Sequence, residues 1–315
     1  MYDTVNFWIN RVDAGNGFEK SVMYLTNTKE TLNKDTGEIW SVGNLDNLKV
    51  TVSMAGVSIK GSLAKFHFPN NTYTLNRHHV KEAITKLSDT LCINLLQASV
   101  TRLDVSTNFI MKSNVNSYFD VLGLCTHFNR VQATNNTLYY HNKGKEQKKA
   151  LIFYDKAREC ATHNTTIPDV FKDANLLRYE SRWNTRLPQQ LKETAIKGQT
   201  LFDRPFYSKI VFLWADNYFR IDKKKVLKVN VMEKIKTVSD AADFVCAVAL
   251  QKLPPDEMAN ILNDLKQSNV FNDRKYYTRL KEKLRSISNK ANITEADELV
   301  KELDGEIRQV LTYKC

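Results

Sequence analysis

The sequence predicts an α+β chain: a largely antiparallel sheet with flanking helices over residues 1–200, then an α-helical region over 201–315. Three observations carry that expectation. Apolar residues alternate along short runs through the first two thirds of the chain, as half-buried strands require. The run 77–97 among them instead spaces Val80, Ala83, Ile84, Leu87 and Leu91 as one helical face. Beyond about residue 200, the segments 203–219, 233–252, 255–267, 273–289 and 294–312 all show helical spacing.

In chain order, MYDTVNFWI opens a strand with Val5, Phe7 and Ile9 on one face, and DTGEI (35–39) reads as a turn. Residues 48–68 read as a hairpin of two alternating strands. Strands follow at 99–109, 137–142, 149–156 and 175–184, with a helix at 115–129 and a basic loop, KGKEQKK, at 143–149. RIDKKKVLKVNV (220–231) reads as a connector or short strand, and Pro254-Pro255 separates two of the C-terminal helices.

The chain has 315 residues and a formal net charge of +11. No apolar run approaches the roughly 20 residues of a membrane span, and the N-terminus has no apolar signal core, so a cytoplasmic protein without membrane contact is expected. The five cysteines form no C-x-x-C, which excludes a disulfide scaffold and a cysteine zinc site. The charge is unevenly placed: residues 101–253 hold 25 basic and 15 acidic residues, whereas 254–315 hold 11 of each. A basic middle suits a polyanion surface, since Lys and Arg make the phosphate contacts. The balanced tail argues against a large phosphate-binding surface there, although RKYYTRLKEKLR (274–285) is locally basic with two aromatics.

Parity sorts strand residues into faces. One face of 100–108 carries Arg102, Asp104, Ser106 and Asn108, and one face of 176–184 carries Arg178, Glu180, Arg182 and Asn184. Such faces are ordinarily solvated, with exposed ion pairs worth little. Here each acid is flanked by arginines, as a carboxylate holding a divalent ion beside a phosphate requires. Asp104 and Glu180 are thus candidates to share one ion. Tyr154 ends a hydrophobic run and precedes Asp155, Lys156, Arg158 and Glu159. It is either a half-buried strand-end residue or a nucleophile. A free phenol titrates near 10, so nucleophilic attack needs a metal, base or cation to stabilise the phenolate.

The blocks VSIKGSLAKFHFPNN (57–71), VTRLDVS (100–106), YYHNK (139–143), LIFYDKARE (151–159) and LLRYESR (176–182) resemble, in order and rough spacing, the replication initiators of filamentous phages and related plasmids, the gene II/X family. The resemblance covers about residues 50–190. It implies a catalytic domain over 1–200 that nicks one strand of a double-stranded origin through a 5′-phosphotyrosine, primes rolling-circle synthesis and later rejoins the displaced strand. By motif position, Tyr154 is then the nucleophile, Lys156 its catalytic neighbour, and Asp104, Glu180 and Glu159 the ligands of Mg²⁺ or Mn²⁺. Arg102, Arg178, Arg182 and Lys65 would contact DNA. A homodimer and host helicase or polymerase are the further partners it suggests.

The chain departs from many rolling-circle initiators in having no pair of histidines around one hydrophobic residue, so carboxylates must carry the metal. His67, one strand step from Lys65, is a candidate neighbour of the site. His78 and His79 open the helix at 77 as surface or capping residues. Tyr139 and Tyr140 are rival nucleophiles, of which only one can face the site. The C-terminal helices read first as scaffold, then as an element for DNA recognition, dimerisation or partner contact. Two other functions fit the same residues: a non-catalytic origin-binding protein, and a metal-dependent nuclease that uses water.

Overall fold

In the computed structural model, residues 1–314 are described apart from 16, 33, 71, 134, 135 and 145. The last residues of the 57–71 and 139–143 blocks are thus split: 71 lies outside the described residues and 143 inside. Lys145 of the basic loop and Cys315 also lie outside them.

The strands are β1 (Tyr2–Asn10), β2 (Thr26–Leu32), β3 (Ile39–Leu45), β4 (Leu48–Ser53), β5 (Gly56–Lys60), β6 (Ser99–Met111), β7 (Leu122–Cys125), β8 (Phe128–Ala133), β9 (Thr137–Asn142), β10 (Lys149–Asp155), β11 (Asn175–Trp183), β12 (Ile221–Lys223), β13 (Lys225–Leu227) and β14 (Thr294–Ala296). The helices are α1 (Arg11–Ala14), α2 (Leu63–His67), α3 (Arg77–Leu91), α4 (Val115–Val121), α5 (Lys156–Thr162), α6 (Leu187–Leu191), α7 (Arg204–Phe219), α8 (Val238–Lys252), α9 (Pro255–Gln267), α10 (Arg274–Ser288) and α11 (Glu298–Lys314). Among the described residues no helix is long and apolar enough to cross a membrane.

Ten strands form one sheet in the order β2-β3-β4-β5-β1-β6-β11-β10-β9-β8, with every neighbouring pair antiparallel. One face is apolar because the odd residues of β6, β10 and β11 point there: Leu103, Val105 and Phe109 with Leu151, Phe153, Leu177 and Tyr179 are all buried. α7 packs against it. The rings of Phe153 and Tyr179 stack with centroids 4.5 Å apart, and Tyr179 lies 5.0 Å from Trp214, to whose carbonyl its hydroxyl donates at 3.0 Å. Gly56 (φ +149°) is where β5 runs closest to β1; a Cβ there would meet Ile9 O at 2.1 Å. The same core continues beyond residue 200 through α7 into Leu303 and Ile307 of α11, while Val231, Ala247, Ile287 and Ile293 form a second, small core.

Several expected elements are corrected. The second strand of the 48–68 hairpin stops at Lys60, and 63–67 is the helix α2, capped by Ser62 Oγ accepting from Lys65 N at 3.1 Å. Lys65 and His67 are therefore not strand neighbours. The helix expected over 115–129 ends at Val121: Gly123 disfavours a helix interior and lets β7 lie against the Asp222 backbone, 3.0 Å from where its Cβ would be. The 149–156 strand ends one residue early, because Asp155 Oδ1 accepts from Arg158 N at 3.0 Å and starts α5. α8 starts at Val238 behind a Thr237–Asp240 capping box rather than at 233, and 294–296 is a strand ahead of α11.

Candidate active site

The other face of the sheet's centre is polar, and strand register orders it in three rows. One row runs His141, Ala150, Arg182, Asp104; the next Tyr139, Ile152, Glu180, Ser106; the third Thr137, Tyr154, Arg178, Asn108. Asp104 therefore lies opposite Arg182, and Glu180 is its diagonal neighbour, a placement that keeps side chains within reach of each other.

Both acids are buried, at 1% and 2% exposure. The Arg102 guanidinium grips Asp104 in bidentate fashion, Nε to Oδ1 at 2.9 Å and Nη2 to Oδ2 at 2.6 Å. Arg182 Nε donates to Glu180 Oε1 at 2.6 Å and stands 3.6 Å from Asp104 Oδ2. Burial pushes the Asp104 carboxyl up to about 7; the Arg102 hydrogen bond opposes this and the Glu180 charge adds to it. Two carboxylates held together out of water form the donor set that a hard divalent cation takes.

Tyr154 sits opposite Arg178. Burial raises its phenol well above the ordinary value; Arg178 opposes that, while Glu180, Asp3 and Glu159 reinforce it. Arg178 is fully buried, and its Nη2 donates to Asp3 Oδ2 at 2.7 Å and Ser106 Oγ at 2.6 Å. Asp3 in turn accepts from Ser62 Oγ at 2.5 Å, which ties the cap of α2 to the site. Lys156, also fully buried, pairs with Glu159 at 2.5 Å across one turn of α5.

The expected residues thus fall into three groups. Asp104, Glu180, Arg102, Arg182, Arg178 and Tyr154 share one face. Lys156 and Glu159 approach it from α5 rather than from the strand, and among the described residues no group of three or more His, Cys, Asp or Glu stands close enough to hold an ion. Lys65 is exposed on α2, whose cap touches Asp3. Of the cations, Arg102 and Arg182 keep about a third of their side chains exposed (31% and 35%), whereas Arg178 and Lys156 keep none. His67 is turned toward α3, with Nε2 3.6 Å from Glu82, and His78 meets the same carboxylate at 3.2 Å. Tyr140 belongs to the core, donating to Gly123 O at 2.7 Å, whereas Tyr139 faces the site and stacks on His141 at 5.2 Å with 11° between the planes.

Asp3 and Ser106 complete the arrangement. Ser106 sits on the polar face that parity marks out. Asp3 shares parity with Val5, so alternation assigns it to the core; a bulge between Tyr2 and Val5 turns it to the polar side.

Among curated proteins nothing matches the chain. The family model that describes the N-terminal region of a phage replication-associated protein, the gene II protein, matches residues 1–204, well over half of the chain and every residue of the polar face. By that match the chain belongs to the gene II family of phage replication-associated proteins.

Proposed function

We propose that this protein initiates rolling-circle replication of a phage or plasmid as a metal-dependent, site-specific DNA nicking and strand-transfer enzyme with Tyr154 as nucleophile. The observation that carries the reading is the placement of Tyr154 one row from Glu180 and opposite Arg178, on a face where Asp104 and Glu180 lie buried side by side. In the step, Tyr154 Oη attacks the scissile phosphorus, the P–O3′ bond breaks, and the phenolic proton passes to one of the carboxylates that surround it. The departing 3′ oxygen takes up a proton and becomes the primer hydroxyl. The linkage keeps the free energy of the broken phosphodiester, so a DNA hydroxyl reverses the step and closes the displaced strand.

Each cation has a part consistent with its exposure. Arg178, opposite Tyr154, stabilises the phenolate as it forms. Lys156 holds Glu159, and Arg102 and Arg182 offer their exposed donors to phosphate. Mg²⁺ is commonly held by one or two carboxylates with substrate phosphate and water completing its shell, which Asp104 and Glu180 suit; Glu159 is the third candidate. Bound there, Mg²⁺ or Mn²⁺ would polarise the scissile phosphate.

A second reading keeps the chemistry and moves the nucleophile to Tyr139, which is likewise half-buried and shares Glu180's row. The test is incubation with labelled single-stranded DNA from the protein's own replicon, with and without Mg²⁺ or Mn²⁺, on a denaturing protein gel. A metal-dependent adduct absent in Tyr154→Phe supports the first reading. One lost only in Tyr139→Phe supports the second. Cleavage without an adduct indicates a water nuclease, and binding without cleavage an origin-binding protein.

A further inference from the structure

The even charge balance of residues 254–315 conceals a segregation. α10 carries six basic residues and one acid, whereas α8 and α9 together carry two and five, and α11 three and four. The helix is also two-sided. Tyr277, Leu280, Leu284 and Ile287 turn inward, with Ile287 in the small core. Along an adjoining exposed side, Lys275, Arg279 and Lys283 recur every fourth residue, about 6 Å apart along the axis, and all three are exposed.

Tyr276 lies in that stripe, 43% exposed, with Lys275 Nζ 5.4 Å and Arg279 Cζ 5.6 Å from its ring centroid. Within the stripe Lys275 Nζ pairs with Asp273 at 2.8 Å, and on the other flank Arg285 Nη2 donates to Asp222 Oδ2 at 2.7 Å. Arg279 and Lys283 form no ion pair among the described residues.

We infer that α10 is a duplex-DNA-binding helix, with Arg279, Lys283 and Lys275 on phosphates and Tyr276 against the backbone or a base edge. A row of cations one turn apart around an exposed ring, two of them uncompensated, meets a regular polyanion better than the irregular charges of an acidic protein, and a helix fits the major groove. The inference rests on the replication reading for its choice of partner. It gives the chain a duplex contact separate from the sheet face where the strand is cut.

The test uses the full chain and a fluorescein-labelled duplex of about 30 base pairs, with anisotropy followed from low to high salt. Arg279→Ala/Lys283→Ala is compared with the charge-matched Lys20→Ala/Lys81→Ala, both exposed sites elsewhere. Two lost phosphate contacts lower the slope of log K against log salt by about 2 and weaken binding at least about tenfold near 0.1 M salt. The control should keep the native slope, and Arg279→Lys/Lys283→Arg should restore it. A slope equal to the control's overturns the inference, including the outcome in which the stripe serves an acidic protein. Cleavage of a single-stranded oligonucleotide is read in parallel: if native protein cuts nothing, the nicking reading fails, and the anisotropy result still decides α10 by itself.

Discussion

The Asp3–Arg178 pair offers a direct measurement of how the site is built. Arg178 is fully buried and its side chain is held by Asp3 and Ser106, while Asp3 itself is 5% exposed. Asp3→Ala leaves a guanidinium that cannot lose its proton in a place water does not reach. Breaking a buried pair from one side costs about 3–5 kcal/mol. For a chain of this length, the entropy of unfolding scales that to a fall in Tm of about 5–8 °C. Arg178→Met removes the cation and keeps most of its volume, so adding it to Asp3→Ala should recover a large part of the loss. Thermal melts followed by circular dichroism on the native protein, both single variants and the double variant close the cycle. An Asp3→Ala protein within about 1 kcal/mol of native, or a double variant less stable than Asp3→Ala alone, would refute the buried-pair argument.

Two further outcomes follow from the same physics. Burial lowers the Lys149 ammonium to about 8, while the unfolded chain holds its proton to about 10.4. The folded state binds fewer protons between those values, so stability should rise from pH 8 to 10; Lys149→Met should flatten that rise and gain about 1–3 kcal/mol at pH 7, as urea titrations at both pH values would reveal. Mg²⁺ or Mn²⁺ at a hundredfold excess over its Kd should stabilise the native chain by about 2.7 kcal/mol, a gain read as raised Tm without any DNA; retention of that gain in Asp104→Asn/Glu180→Gln would remove those acids from the ion site.

What the sequence reveals of this site follows the regularity of its backbone. Asp104, Ser106, Arg178, Glu180 and Arg182 sit on unbroken strands, where a period of two is enough to place them on one face. Asp3 escapes that reasoning because the bulge in β1 shifts parity within a strand, and nothing in MYDTVN signals an extra residue. Lys156 and Glu159 were legible as neighbours of Tyr154 but not as helical ones, since the cap at Asp155 changes their direction in a single residue. Tyr139 and Tyr140 differ only in parity; the register with β10 pairs Tyr140 with Leu151 on the core face, its ring 6.1 Å from that of Phe153, and Tyr139 with Ile152 on the polar face. For α10 the sequence shows the local charge of 274–285 inside a balanced tail, but not which of its cations stay exposed and unpaired, because that depends on how the helix packs.

The charge balance of the polar face bears on how it would receive DNA. Four acids, Asp3, Asp104, Glu159 and Glu180, are matched by four cations, Arg178, Arg102, Lys156 and Arg182, each acid within ion-pair distance of a cation. A phosphodiester entering this neutral set adds one negative charge to a place where burial already drives Asp104 up to about 7. Arg178 and Lys156 cannot turn outward to meet it without leaving Asp3 buried and alone or Glu159 unpaired. Arg102 and Arg182 can, because part of each side chain is already in water and each guanidinium keeps N–H donors beyond those it gives to Asp104 or Glu180. An arginine that shares its charge with a phosphate holds its acid less firmly, and added positive charge at the same spot would offset that. On the proposed reading, a divalent cation held by Asp104 and Glu180 would supply it. On that reading the carboxylate–arginine pairs would hold the acids in place until ion and strand arrive, and the thermal shift with metal alone should be smaller than with metal and oligonucleotide together.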